Sequence, residues 1–462
     1  MSKIAFLHTS KQIDEKNEIL IMPIGLIALA NFIKENGFDS EIIHLNLEKE
    51  LDSNFDLFSY LRKNNIRIFL LPLHWHQQST STIDLVKQIK NKIDNSIVIL
   101  GGFTATYYSN EIMENFTEVD FIIKGDSEIP LLELFNSLFG DKDFASIPNL
   151  VWRNGSFVKN NHHTYVTTQE VIDALNFTDF SLVKNYEIYN KIRINNLDSM
   201  SSRDIDKMFY YNTGRGCPIN CSFCGGSNIS QKIINGRGSI IKISDSSVLR
   251  ELKKAKSNNL KIWYTCFDPT PKTNYYPNLF KKIRDAHIDI SLQFECWALP
   301  SKKFIDEFKD TFSDEHSQII ISPETGSNKI RKLNKGFYYT NRQLFDCLEY
   351  LVKKDIDIVL YFTAGLPFES KNDILETAKV IKYIKKKYED SKIEINVLPI
   401  GIEPVSPLFL DTDKYGIISK KFSFLELYET HKHIDDPEYE TSLLSKNEIK
   451  KFIAALQKLA TN

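Results

Sequence analysis

One loop, Tyr211 to Ser227, constrains this chain more than any other stretch. It reads YNTGRGCPINCSFCGGS and places Cys217, Cys221 and Cys224 in a C-x3-C-x2-C spacing. The glycines and the proline around the cysteines disfavour both a helix and a strand. Such a loop can fold around a compact object and direct three thiolates towards it.

The number and kind of these ligands narrow the object that the loop can hold. Three soft ligands on one short loop suit an iron–sulfur cluster. A structural zinc site normally has four protein ligands, usually in two pairs, and this loop offers three. The sequence therefore predicts a cluster with one iron free of protein ligands and open to a small molecule. A zinc site and a disulfide are the alternatives.

Cys217, Cys221 and Cys224, with Phe223 directly before the last, resemble the signature of the radical S-adenosylmethionine (SAM) enzymes. The resemblance implies a [4Fe–4S] cluster ligated by these three cysteines, with Phe223 beside the cofactors. It implies that the open iron chelates SAM, and that one electron then cleaves SAM to a 5′-deoxyadenosyl radical. An external electron donor of the flavodoxin or ferredoxin type is implied as well.

Length and composition exclude several other classes of protein. The 462 residues are enough for two or three domains, and the net charge of -2 does not suggest a nucleic-acid or membrane-surface binder. No apolar run reaches the roughly 18 residues of a membrane helix. We expect no signal peptide at the N-terminus, and six cysteines in so long a chain do not make a disulfide framework. We expect a cytoplasmic enzyme with a small-molecule substrate.

The N-terminal part of the chain alternates apolar strands with helices. The predicted strands are Lys3 to His8, Glu41 to Leu47, Arg67 to Leu73, Ser96 to Leu100 and Val119 to Ile123. This α/β alternation predicts a parallel, doubly wound, Rossmann-like sheet. Ligands of such sheets bind at the carboxyl ends of the strands. Candidate binding residues at those ends are His74, Gly101, Gly102, Phe103, Thr104 and Gly125.

The strand order, with the GGFTA and KGDSE turns, resembles the cobalamin-binding domain found ahead of many radical SAM domains. The resemblance covers about residues 1–140 and implies that Gly101 and Gly102 let the nucleotide tail of cobalamin approach the backbone. The D-x-H-x-x-G motif is absent after the first strand, so we expect no histidine from that motif below the cobalt. For the whole domain, the alternative is a purely structural role. For His74 and His76, the alternative to facing the cofactor is that one is a hydrogen-bonded turn histidine and the other is solvated.

A connector over residues 141–202 carries a hairpin, with Asn154–Gly155 predicted as its turn. Six further strands follow, at Phe209 to Asn212, Lys261 to Cys266, Ile288 to Phe294, Gln318 to Ile321, Ile356 to Phe362 and Ile393 to Leu398. Their alternation with helices predicts a partial (β/α)6 TIM-type barrel over residues 203–405, the fold of the radical SAM family. A small helical segment, 406–462, ends the chain, and its last helix is expected either to pack on the barrel or to act as a lid.

Polar residues again follow the strands of the predicted barrel, where active residues of such barrels lie. The resemblance implies that Asp268, Glu295, Glu324 and Thr325 contact SAM. The G-G-E motif that commonly takes the SAM amino group is missing, and Asp268 is the nearest acidic candidate. A structural ion pair inside the barrel is the alternative for each carboxylate.

Two further residues of the barrel are candidates for SAM contacts. The segment AGLPFES resembles barrel segments of radical SAM proteins with a cobalamin domain, and the resemblance implies that Gly365 shapes the adenine pocket through its backbone. Arg331 either reaches the SAM carboxylate or is an exposed helix residue. No catalytic acid or base can be assigned from the sequence.

Together, the two resemblances imply a cobalamin-dependent radical SAM enzyme, most simply a methyltransferase. In that reaction cobalamin takes a methyl group from one SAM, and a second SAM supplies the radical that activates an unactivated carbon of a small metabolite or natural-product intermediate. A radical SAM enzyme catalysing a non-methylating rearrangement, oxidation or cyclisation is the first alternative. A non-catalytic sensor is the second.

Overall fold

Two large sheets organise the protein, one in each of two units; the first is mainly parallel and the second is parallel throughout. The computed structural model describes residues 3–9, 24–141, 143–188, 208–418, 422–429 and 439–461. The first unit comprises Met1–Asp206, Gln231–Arg237 and Phe422–Lys432. The second comprises Lys207–Ser230, Gly238–Lys421 and His433–Asn462.

The sheet of the first unit has seven strands in the order β2-β1-β3-β4-β5-β6-β7. They are β1 (Ile4–His8), β2 (Ser40–His44), β3 (Ile68–Pro72), β4 (Ile97–Gly101), β5 (Phe121–Ile123), β6 (Leu150–Asn154) and β7 (Phe157–Asn160). The first five strands pair in parallel, and β6 and β7 are antiparallel. All five residues of β1 are buried, as expected for a strand covered on both faces. The predicted doubly wound sheet is confirmed.

Two local predictions in this unit were wrong. The strand predicted for Glu41 to Leu47 ends at His44, because the His44 side chain accepts a hydrogen bond from the Leu47 N–H and caps a helix that begins at Leu45. The hairpin turn lies one residue later than predicted. Asn154 pairs with Phe157, so Gly155, at φ +61°, and the next residue form the turn.

The sheet of the second unit has six strands, all parallel, in the order β15-β14-β13-β12-β11-β8. They are β8 (Met208–Tyr210), β11 (Ile262–Thr265), β12 (Ser291–Cys296), β13 (Gln318–Glu324), β14 (Asp357–Phe362) and β15 (Ile393–Val397). Two short ribbons accompany them, β9 (Gly214–Arg215) with β10 (Ile241–Lys242) and β16 (Ile417–Ile418) with β17 (Glu440–Thr441). Each predicted barrel strand is present, and the open (β/α)6 arrangement is confirmed.

The helices follow the strands in both units. In chain order they are α1 (Ile24–Glu35), α2 (Leu45–Leu51), α3 (Leu57–Lys63), α4 (Ser79–Lys92), α5 (Phe103–Tyr107), α6 (Ser109–Asn115), α7 (Glu128–Phe139), α8 (Gln169–Ala174), α9 (Asn228–Asn235), α10 (Asp245–Ser257), α11 (Tyr275–Asp285), α12 (Lys302–Thr311), α13 (Asn328–Asn334), α14 (Asn341–Lys353), α15 (Lys371–Lys387), α16 (Pro407–Leu410), α17 (Phe424–Glu429) and α18 (Lys446–Thr461). Among the described helices, none combines the length and the apolar character needed to cross a bilayer.

Late segments of the chain pack in both units. Helix α17 belongs to the first unit, where the Tyr428 hydroxyl donates to Asp84 at 2.8 Å and its carbonyl accepts from Thr80 at 2.6 Å. Helix α18 packs on α15 and on the edge strand β15, and buries Ile449 there. Lys385 donates to the last carbonyls of α18, which satisfies groups that a helix end leaves open. The packing expected of the last helix is confirmed.

Candidate functional site

The cysteine loop follows β8 and β9 in the second unit. Its three cysteines are free thiols and half-buried. Backbone N–H groups donate to two of the sulfurs, from Gly226 to Cys224 and from Gly336 to Cys221, each at 3.3 Å. Burial raises the pKa of Cys217 to about 11 and that of Cys224 to about 12. A thiolate-binding metal centre would replace these protons, because coordination requires the deprotonated ligand.

Two later segments fix the shape of the loop. Ser222 donates its N–H to the carbonyl of Asn334 at 2.9 Å and its hydroxyl to the Asn334 side chain at 2.6 Å. Leu408 donates its N–H to the carbonyl of Ser222 at 2.9 Å. A Cβ on Gly225 would lie 2.9 Å from the Cβ of Glu403, so only glycine fits beside that segment. The loop is held by contacts that its own sequence does not contain.

These donors fit an iron–sulfur cluster. In the described part of the chain, no three histidine, cysteine or carboxylate side chains converge as ligands of a single metal ion. A cubane does not require such convergence, since each thiolate binds a different iron. Three free thiols on a braced loop, with N–H groups donating to sulfur, are the donor set that such clusters use. Phe223 is half-buried within this loop, and its contact with the cofactors stays a prediction.

Glu324 ends strand β13 in an unusual conformation. The pairing of β13 with β14 shifts between Ile321 and Glu324, and Glu324 has φ +64°. Bulges of this kind are frequent next to active sites, where they re-aim a side chain. The carboxylate of Glu324 accepts from the ammonium of Lys335 at 3.4 Å, and the two side chains expose 14% and 8% of their surface.

Lys335 is a charged residue of this site that the sequence analysis missed. Burial alone would lower its pKa, but Glu324, Tyr339 and Cys221 together raise the pKa of Lys335 above its ordinary value. Lys335 therefore carries a buried positive charge between a carboxylate and a cysteine of the loop. The sequence signal that could have indicated Lys335 is its position in a segment that contains several cations and no acidic residue.

Glu295 shares the charge of Lys335. Its carboxylate accepts from the Tyr264 hydroxyl at 2.9 Å. Burial raises the pKa of Glu295, and Lys335 opposes that rise. Burial also raises the pKa of Glu324, and Glu295 adds to the rise. Two carboxyl groups thus share one lysine, which leaves capacity for a polar or cationic ligand. Their contacts with SAM stay a prediction.

Asp268 is a buried carboxyl group just past β11. Its side chain accepts from the Trp297 N–H at 3.0 Å, and burial raises its pKa to about 8. At neutral pH the group is mostly protonated in the protein without ligand. A cation such as an amino group would favour its ionised form. The contact with the SAM amino group stays a prediction.

Thr325 and Gly365 belong to one structural network. The carboxylate of Glu369 accepts from the Thr325 hydroxyl at 3.0 Å and from the Gly365 N–H at 2.7 Å, and burial raises the pKa of Glu369 to about 7. The Gly365 carbonyl accepts from Tyr439 at 2.9 Å, and a Cβ on Gly365 would lie 2.8 Å from Ile449. The structure gives both residues a packing role, and their contacts with SAM stay predictions.

Arg331 is not the exposed helix residue that the sequence allowed. It is fully buried at 0% exposure, and its guanidinium donors all have partners within the protein. The acceptors are the carbonyls of Pro323, Thr325 and Tyr339 and the side chains of Asn328 and Asn341. Arg331 therefore fixes the turn after Glu324 from inside the protein.

The first unit has its own candidate edge. The strand order 2-1-3-4-5 places the topological switch between β1 and β3, where ligands of such sheets bind. His74 lies there with its ring centroid 5.2 Å from that of Trp75 and 4.8 Å from that of Phe103, and all three side chains are half-buried. A half-buried aromatic group at this edge fits a large ring such as cobalamin. Thr104 donates its hydroxyl to the His74 carbonyl at 3.0 Å.

The two glycines after β4 differ in what requires them. Gly102 has φ +103°, and a Cβ there would lie 2.8 Å from the carbonyl oxygen of Leu73. The protein's own backbone therefore demands glycine at 102, whether or not a ligand binds. A Cβ on Gly101 would lie 3.7 Å from the Ile123 carbonyl, an ordinary contact. The contacts of both glycines with cobalamin stay predictions.

The end of β5 is filled by the protein itself. A Cβ on Gly125, at φ +66°, would lie 2.7 Å from His163 and 2.8 Å from the carbonyl of Ile234. The next residue, Asp126, forms a buried ion pair with Arg237 and accepts from the Thr167 N–H at 2.9 Å. The structure gives this turn a packing role, and a contact between Gly125 and cobalamin stays a prediction.

Comparison with known proteins assigns both units. Residues 18–135 match the B12 binding domain, and residues 211–381 match the radical SAM superfamily. An uncharacterized protein of Methanocaldococcus jannaschii is 23% identical over 88% of this chain and 81% of its own length. The anaerobic magnesium-protoporphyrin IX monomethyl ester cyclase of Synechocystis is 20% identical over 44% of this chain and 38% of its own length.

A solved structure shares the fold across both units. The radical SAM methyltransferase TsrM from Kitasatospora setae, with cobalamin and a [4Fe–4S] cluster bound, is 14% identical and superimposes with a TM-score of 0.70. The match covers 99% of this chain and 89% of TsrM. The domain matches and the donor sets described above agree: this chain carries a B12-binding domain followed by a radical SAM domain, and the cofactors of these domains are cobalamin, a [4Fe–4S] cluster and SAM.

Proposed function

We propose that this protein is a cobalamin-dependent radical SAM methyltransferase that acts on an unactivated carbon of a small molecule. The observation that carries the proposal is the presence, in one chain, of a B12-binding domain and the three-thiol loop of a radical SAM domain. TsrM, which shares the fold, is described as a methyltransferase with tryptophan as substrate. When bound, SAM at the cluster supplies a 5′-deoxyadenosyl radical, and cobalamin supplies the methyl group.

Residues of the second unit have distinct roles in this proposal. Cys217, Cys221 and Cys224 hold the cluster as thiolates. Lys335 keeps a positive charge beside Cys221, and that charge favours the ionised ligand. The half-buried carboxyl groups of Glu295 and Glu324 accept hydrogen bonds from the hydroxyl or ammonium groups of SAM.

The test is anaerobic reconstitution followed by turnover with SAM that carries a labelled methyl group. A methyltransferase of this type consumes two SAM molecules, so S-adenosylhomocysteine and 5′-deoxyadenosine should accumulate in about equal amounts. The product should gain the mass of the labelled methyl group. Protein without cobalamin should still form 5′-deoxyadenosine but no methylated product.

A non-methylating reaction is the second candidate, because one of the relatives is a cyclase. A product that gains no mass from the SAM methyl group would establish this candidate and reject the methyltransferase. A small metabolite or natural-product intermediate remains our proposed substrate class in either case. The same mass analysis, repeated with candidate substrates, identifies the substrate.

We further propose that no histidine of the first unit ligates cobalt from below. The D-x-H-x-x-G motif is absent, and the His74 ring packs against Trp75 and Phe103. The electron paramagnetic resonance spectrum of bound cob(II)alamin should show no nitrogen splitting from the lower face. Splitting that disappears in a His74→Ala or His76→Ala variant would reject this proposal.

A further inference from the structure

We propose that helix α13, the turn after it and the first residues of α14 form the docking surface for an acidic one-electron carrier protein that reduces the cluster. We call this the basic surface, and it consists of Lys329, Lys332, Leu333, Tyr338 and Arg342. The inference rests on the proposed function, because a reductive cleavage of SAM needs an external electron. It adds the place on this protein where that electron enters.

The charge of this segment has one sign. From Thr325 to Phe345 the sequence has five cations and no acidic residue. Arg331 and Lys335 are buried and serve the interior, whereas Lys329, Lys332 and Arg342 are exposed. One carboxylate of α15, Asp373, lies within electrostatic range of Lys329, and hydroxyls of Ser327 and Ser370 already donate to it. On α14, exposed Asp346 follows Arg342 by one helical turn and offsets part of its charge. Three exposed cations against two carboxylates still leave a positive balance, on a chain whose net charge is -2.

Apolar side chains lie among these cations. Leu333 is 50% exposed and Tyr338 is 41% exposed. Exposed large apolar residues bordered by charges mark contact sites for other proteins. A patch of this composition fits the small, charged interfaces of electron-transfer complexes, which bury less than about 1,200 Å².

The segment that carries the basic surface also bonds to one of the three cysteines. Exposed Gly336 lies between Leu333 and Tyr338 in the chain, and its N–H donates to the sulfur of Cys221 at 3.3 Å. Asn334, the last residue of α13, accepts two hydrogen bonds from Ser222, the neighbour of Cys221: one at its backbone carbonyl and one at its side-chain oxygen. A carrier resting on this surface is therefore separated from a ligand sulfur by one hydrogen-bonded peptide.

The positive charge of this surface favours a negatively charged protein as the electron donor. The docking step forms and breaks no covalent bond: the reduced carrier loses one electron, and the cluster gains it. A positive surface attracts a negatively charged flavin or iron–sulfur carrier and speeds its encounter, with a rate that falls as salt screens the charges. A small reductant such as dithionite can reduce the cluster without docking on this surface.

The experiment compares two reductants on two matched variants. Lys332→Glu/Arg342→Glu reverses two charges of the basic surface. Lys379→Glu/Lys382→Glu reverses two exposed charges of α15 and serves as the control. Cluster reduction is followed by stopped-flow absorbance in reconstituted protein, with either enzymatically reduced flavodoxin or dithionite.

We expect flavodoxin-driven reduction of the Lys332→Glu/Arg342→Glu variant to slow about tenfold at low salt. Dithionite-driven reduction of the same variant should match the unmodified protein, which also shows that the cluster and the fold are intact. The control variant should be unchanged with both reductants. Equal flavodoxin rates in all three proteins would overturn the docking surface and leave the proposed function standing.

Failure of the unmodified protein to cleave SAM with dithionite would overturn the proposed function instead. A variant slowed with both reductants would show a damaged cluster site and would also overturn the docking proposal. The two failures are therefore distinguishable.

Discussion

The two large sheets of this protein differ in how the polar residues at the carboxyl ends of their parallel strands are paired. In the first unit, Asp126 has a buried cation of its own, Arg237, and two side chains of the KGDSE turn bond to Thr167. In the barrel, Glu295 and Glu324 share the charge of Lys335, with a smaller contribution of Arg331 at Glu324, and burial still raises the pKa of both.

This difference teaches how to read strand ends in parallel sheets. A polar residue at the carboxyl end of a strand is a candidate by position alone. Thr325, Gly125 and Asp126 hold such positions, yet the protein itself supplies their partners. Charge that the fold leaves incompletely balanced, as at Glu295 and Glu324, is the better sign of a ligand site.

The largest expected effect is loss of the cluster from the second unit while the first unit still binds cobalamin. Replacing Cys217, Cys221 and Cys224 by alanine should reduce the iron content from about four per chain to near zero and abolish reductive cleavage of SAM. Cobalamin binding should persist, because its domain is a separate sheet. Iron analysis and the absorbance of bound cobalamin measure both. Retained iron, or loss of cobalamin as well, would contradict this expectation.

The next effect compares the two buried cations. Arg237→Met leaves Asp126 buried without its cation, which should lower the free energy of unfolding by about 3–5 kcal/mol. Lys335→Met should cost less, about 1–3 kcal/mol, because Glu324 can take up a proton. Anaerobic denaturant unfolding measures both variants.

Two controls make that comparison strict. Arg67→Met removes an exposed arginine of the first unit and should change the stability by about 0.5 kcal/mol or less. Lys335→Met combined with Glu324→Gln should recover part of the loss in the barrel. An Arg237→Met variant as stable as the Arg67→Met variant would show that the Asp126–Arg237 pair does not stabilise the fold.

The stability of the protein should depend on pH because of Asp268, the buried carboxyl group past β11. The pKa of Asp268 is about 8 in the folded protein against 3.8 for an ordinary aspartate, so the unfolded chain loses this proton near pH 4 and the folded protein near pH 8. Stability should therefore fall as pH rises from 4 to 8, by up to about 1.4 kcal/mol per unit, and then level off.

Asp268→Asn keeps an acceptor for the Trp297 N–H and removes the charge. Its thermal stability, measured without SAM, should depend less on pH over that range. Glu369, with a pKa of about 7, keeps its own smaller contribution in both proteins. Identical pH profiles for the two proteins would mean that Asp268 is ionised in the fold at neutral pH.

The smallest expected effect separates packing from ligand binding in the first unit. Gly102→Ala should lower the free energy of unfolding by about 1–2 kcal/mol, because φ +103° disfavours a side chain and the Leu73 carbonyl leaves it no room. Gly101→Ala should change stability by about 0.5 kcal/mol or less. Weaker cobalamin binding by Gly101→Ala at unchanged stability would show direct contact at this turn, and equal stability of the two variants would contradict the packing argument.

Most of the fold was predictable from the sequence, whereas much of the site was not. The periodicity of apolar segments gave both parallel sheets and the six barrel strands, because each strand is a contiguous apolar run between turn residues. Boundaries failed where a single side chain decided them, as at His44, whose ring caps a helix inside a predicted strand. The cysteine loop was evident because three ligands within eight residues are a local pattern.

The sequence by itself determined the kind of cofactor chemistry and the order of the two sheets, since both depend on residues close together in the chain. Only the tertiary structure decided which strand-end residues keep their charge and which are used for packing. The bond from Gly336 to Cys221 spans 115 residues and the pair of Arg237 with Asp126 spans 111. Such contacts, and the buried charge of Lys335, arise from how distant segments pack, and no local pattern of residues specifies them.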